Sequence, residues 1–115
     1  MLAGEDLPVH AVRISIIRYV SDDQPGVVEC QLTDITGRAW HFMEKVPIVT
    51  TADLNARSTY PQPGVIACEV LDSRGAPDGT AVVTIDTDRP WGVATIAGET
   101  RFEVAAELLT EIDWG

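Results

Sequence analysis

The chain has 115 residues, 45% of them hydrophobic, with eight Lys and Arg against eighteen Asp and Glu for a formal net charge of −10. That length suits one domain with one modest core, residues 1–115, and the apolar content excludes a disordered chain. So acidic a chain is repelled by phosphate backbones and anionic membranes, which excludes nucleic acid and membrane as expected partners and leaves a basic protein as the partner that charge favours.

In chain order, "MLAGEDLPVH" has no basic n-region and no apolar h-region, so residues 1–10 read as a loose arm without a secretory signal and the expected location is cytoplasmic. No apolar run approaches the ~18 residues of a membrane helix. "VRISIIRYV" is rich in β-branched residues and predicts a strand with Val12, Ile14 and Ile16 on one side, and "SDDQPG" breaks it. "VVECQLTD" alternates Val28, Cys30 and Leu32 against Glu29, Gln31 and Thr33, and "DITGR" supplies a turn at Gly37. "AWHFMEKVPIV" sets Trp40, Phe42 and Val46 against His41, Met43 and Lys45, with Pro47 ending, bending or edging the strand.

"TTADLNARSTYPQPG" lacks period-two patterning and predicts at most one helical turn, Ala52 to Ala56, capped by Thr51. "VIACEVL" and "TAVVTIDT" read as two strands joined by "DSRGAPDG", and "VATIAGETRFEV" as a hairpin about Gly98. Beyond it the chain reads as a strand through Val104 toward Leu108, with a terminal helix as the alternative. The sum is an all-β fold: a small antiparallel, partly open β-barrel of six to seven strands with at most one short helical turn.

The chemistry-bearing residues mostly have structural readings. Cys30 and Cys68 lie in apolar runs far from histidines, which predicts buried thiols, with a disulfide as the alternative and no metal. His41 has no carboxylate at a useful local spacing, since Glu44 points to the other side, and His10 falls in the arm. "VVTIDTD" resembles an aspartic-protease strand but carries Asp88 where the glycine should stand. Asp86 and Asp88 alone offer too few oxygens for calcium. The better reading is a strand end and turn: Asp86 points outward, Asp88 bonds its own following backbone, and Trp91 plugs the barrel end or lies exposed as an anchor, the plug being preferred.

"GRAWHFMEKVPIVT", "YPQPGVIACEVL" and "IDTDRPWGV", in that order, resemble a family of small bacterial proteins without a known activity, over roughly Val20 to Val104. The resemblance implies a bacterial, cytoplasmic, single-domain protein and carries no functional residues with it. No catalytic residue, metal or cofactor is expected.

The leading expectation is a non-enzymatic module that binds a basic protein, in one version by neutralising a toxin. Its acids would come from Asp22, Asp23, Glu44, Asp86 and Asp88, and Trp91 or Tyr60 would anchor. The rivals are a small-molecule binder or enzyme with a barrel-mouth pocket of His41, Tyr60, Trp91 and Asp86, and a module that self-associates through an edge strand.

Overall fold

A computed structural model describes residues 9–112. The partly open, antiparallel all-β fold forms as two sheets packed on one core, with eight strands among the described residues. The first sheet contains β1 (Val9–Ser21), β2 (Val27–Thr33), β3 (Ala39–Lys45), β4 (Gln62–Ala67) and β8 (Leu109–Ile112). The second contains β5 (Glu69–Gly75), β6 (Ala81–Asp86) and β7 (Arg101–Ala105). Among the described residues no helix is long and apolar enough to cross a membrane.

β1 organises the first sheet. Its residues 11–16 pair with β4 on one flank, while on the other flank residues 9–12 pair with β8 and residues 15–21 with β2. β8 therefore occupies the stretch of edge that β2 leaves open. The β1–β2 register slips at Ile17 and again at Val20, two bulges that bend the strand and reset which side chains face the core. Arg18 thus stands opposite the outward Glu29, and Tyr19 opposite the buried Val28.

The two sheets meet through aromatic rings. Phe102 of β7 lies edge-on to Trp40 at 5.3 Å and to Phe42 at 5.8 Å, both on β3. Ile16, Cys30, Leu32, Ile66, Ile85 and Val104 fill the core around them. Asp34 ties the β2–β3 turn: its carboxylate accepts the Thr36 hydroxyl at 2.6 Å and the Trp40 indole N–H at 2.9 Å. Burial opposes ionisation of Asp34, but these bonds outweigh it and hold the carboxyl below its usual range.

Several elements differ from the sequence reading. "VIACEVL" is two strands, because Cys68 N–H donates to His10 O at 2.9 Å and the chain crosses there from one sheet to the other. The helical turn is α1 (Val46–Val49), started by Pro47 in the first turn, where its missing N–H costs nothing, and not at Ala52 to Ala56. After β7 the chain makes a 3-10 turn over Ala106–Leu108 and then forms β8, so the strand does pass Val104 but neither reading of the C-terminus is complete. "VATI" forms no strand. The arm over residues 1–8 lies outside the described residues, whereas His10 belongs to β1, with its Nε2 3.8 Å from Glu111 Oε2. Cys30 and Cys68 are free, buried thiols. Burial pushes both up to about 12, and the charges of Glu44 and Glu29 add to the shift at Cys30, so neither is a thiolate at neutral pH.

Candidate functional site

The bulges of β1 deliver Tyr19 to one end of the core, where the loop 22–26 faces the segment 50–55 beyond α1. The two walls are tied at their base, since Val46 N–H donates to Gly26 O at 2.9 Å. The hydroxyl end of the Tyr19 side chain closes on Gly26: a Cβ placed there would come within 2.8 Å of the ring carbons and nearer still to the phenolic oxygen, so glycine serves here for closeness and not for its φ. Bonds from side chains to backbone shape the far wall. Thr50 Oγ1 accepts Ala52 N–H at 3.0 Å, Asn55 Oδ1 accepts Arg57 N–H at 2.8 Å, and the Tyr60 hydroxyl donates to Asn55 O at 2.8 Å. These local bonds compete with helix, which is why the expected turn at Ala52 does not form.

Between the walls lies a cleft of about 790 Å³. Asp22, Asp23 and Asp53 line it, and no Lys, Arg or His does. Ser21 donates to Asp23 Oδ2 at 3.0 Å, and the Tyr19 hydroxyl donates to Asp22. Desolvation first, then the bond to Asp22 and the nearby negative charges, pushes the Tyr19 phenol above its ordinary value, so it remains a neutral donor. Pro25, Val46, Pro47 and Leu54 supply apolar surface below the carboxylates. Among the described residues no three His, Cys, Asp or Glu side chains are grouped to hold a metal ion. Spaced carboxylates, an aromatic ring and apolar walls suit an organic cation on an aliphatic stem, the shape of a lysine or arginine side chain.

No known protein family, curated protein or solved structure matches this chain. The site is read from its geometry.

Of the residues expected at a site, Asp22 and Asp23 are in the cleft. Tyr60 stands behind its wall through Asn55. Glu44 is turned inward, opposite Val28, and burial raises its carboxyl despite Lys45 beside it. His41 has the carboxylate partner that local spacing did not supply: its Nδ1 is 2.9 Å from Glu29 Oε2, and Arg18 Nε donates to Glu29 Oε1 at 2.6 Å. The cleft is lined by none of His41, Tyr60, Trp91 or Asp86.

The 87–100 loop corrects the reading of the acids and Trp91. Asp86 lies on the outer side of β6, but its carboxylate is tied down there and not free: Oδ1 accepts Asp88 N–H at 2.9 Å, and Oδ2 accepts Arg101 Nε at 3.2 Å. The Asp88 bond first, with Thr100 and Arg101 adding, holds its carboxyl below the usual range against a smaller cost of burial. Asp86, and not Asp88, thus makes the side-chain bond of the turn, while Asp88 O accepts Gly92 N–H at 2.8 Å. Trp91 is 38% exposed and does not plug the core.

The plug's structural work falls to Thr87, 0% exposed, whose hydroxyl lies 2.6 Å from Val93 O and 3.2 Å from Thr100 O. Thr87→Val keeps the shape and leaves a buried acceptor unpaired, so it is expected to cost about 1–3 kcal/mol in urea unfolding. A cost near zero would show that this hydroxyl does not organise the loop. Sequence reasoning missed Thr87, Tyr19 and Asp53. A hint for Thr87 was its place in the inward-facing strand end "TIDT".

Proposed function

We propose that this chain is a non-enzymatic module that binds a basic segment of a partner protein, receiving a lysine or arginine side chain in the cleft of Asp22, Asp23 and Asp53. The observation that carries the reading is a cleft of about 790 Å³ lined by three carboxylates and no cation. The aliphatic stem lies on Val46, Pro47 and Leu54, the charged head meets the aspartates, and Tyr19 offers its ring face. The net charge of −10 speeds encounter with a basic surface, as masking of a basic enzyme by a neutralising protein would need.

The test is titration of acetylated tetralysine amide into ¹⁵N-labelled protein. Saturable amide shifts are expected at Tyr19 to Gly26 and at Thr50 to Asn55. Shifts spread evenly over every acidic surface, with none concentrated at the cleft, would refute the reading.

A further inference from the structure

The outward face of the first sheet has a different chemistry from the rest of this acidic chain. The register sets Ser15 of β1 opposite Gln31 of β2, and Gln31 opposite His41 of β3, in one row across three strands. Beside that row is a depression of about 200 Å³, lined by Arg13, Ser15, Gln31, Thr33, Ile14 and Leu108. Four of those six side chains are hydrogen-bond donors, one of them a guanidinium, and none is a carboxylate.

These donors are uncommitted to the protein. The side chains of Ser15, Gln31 and Thr33 have no hydrogen-bond partner among the described residues. Arg13 reaches only Glu107 O, at 3.4 Å, the outer limit of a hydrogen bond, and among the described residues no carboxylate is within ion-pair distance of it. The acid on the same face, Glu29, is engaged by Arg18 and His41. On a chain of net charge −10, a concave, donor-lined and acid-free spot is the reverse of the general surface.

We infer that this depression is a binding site for a carboxylate group, held by the Arg13 guanidinium with Ser15, Gln31 and Thr33 donating around it. The planar fork of arginine matches the two oxygens of a carboxylate, and one full positive charge balances one monoanion. A dianionic phosphate would leave a negative charge uncompensated on an already acidic chain. The site is separate from the aspartate cleft and of opposite sign, and it does not depend on that cleft's assignment.

The test is ¹⁵N amide titration of the full chain at constant ionic strength with sodium acetate, capped glutamate and sodium phosphate, in wild type and in Arg13→Ala. Saturable shifts at Ser15, Gln31 and Thr33 are expected with the carboxylates, weakened about tenfold or more in Arg13→Ala. Capped glutamate binding at least as tightly as acetate supports the site and assigns it to a protein side chain, whereas acetate binding more tightly supports it as a site for a free carboxylate. Arg13 is exposed, and an unchanged amide spectrum elsewhere verifies the variant's fold. Shifts that do not saturate, that persist unchanged in Arg13→Ala, or that respond more tightly to phosphate than to acetate would overturn the assignment.

Discussion

Phe42→Ala is expected to cost about 3–5 kcal/mol, a large share of the 5–15 kcal/mol that holds a typical domain folded. Phe42 is 0% exposed and sits where the sheets meet, 5.8 Å from Phe102 and edge-on to it. Removing its ring deletes buried area and an aromatic contact, and it leaves a cavity that two hydrogen-bonded sheets cannot readily close. Its cross-strand neighbour Cys30 is too small to fill the gap. Urea unfolding measures the loss as a fall of roughly 1–3 M in midpoint. Met43→Ala, next along β3 at a side chain 39% exposed, serves as the control and is expected to change stability by about 0.5 kcal/mol or less. A Phe42→Ala cost no larger than the control would mean that the sheets do not pack through this ring.

The second large effect is on binding. Asp22→Asn, Asp23→Asn and Asp53→Asn together remove three of the chain's negative charges, taking −10 to −7, and keep side-chain size. Affinity for a lysine-rich peptide is expected to fall about 100-fold, because charge-assisted bonds at the cleft become neutral ones. Stability is expected to hold within about 0.5 kcal/mol, since Asn keeps an oxygen for the Tyr19 hydroxyl and for Ser21. Loss of binding without loss of stability is what separates a recognition surface from a structural one. A triple variant that unfolds would instead assign these acids to the fold.

The alternation of Val28, Cys30 and Leu32 against Glu29, Gln31 and Thr33 was readable because a strand wet on one face repeats every two residues. The same rule fails wherever the register slips. Extending Val12, Ile14 and Ile16 by twos turns Arg18 inward, whereas the bulge at Ile17 sends Arg18 out to Glu29 and brings Tyr19 to the cleft. The crossover at Cys68 left little mark because "VIACEVL" holds no glycine, proline or other turn former, and its one polar residue, Glu69, also fits the alternation of a single strand. Glu29 and His41 are twelve residues apart and meet only through the β2–β3 register, which no local spacing reports. Of the cleft, the "SDDQPG" acids were visible as a turn with charge, but Asp53 was read into a helical turn. Its position depends on bonds from Thr50, Asn55 and Tyr60 that cannot be counted from composition.

The most direct test of the cleft assignment is calorimetric titration of acetylated tetralysine amide into wild type and the triple asparagine variant at low and high salt. Wild type is expected to bind at low salt and to weaken steeply as salt rises, because the cleft carboxylates are open to solvent and ions screen them over about 10 Å at 0.1 M. The variant is expected to bind about 100-fold more weakly at low salt. Equal affinity of the two proteins would contradict the assignment.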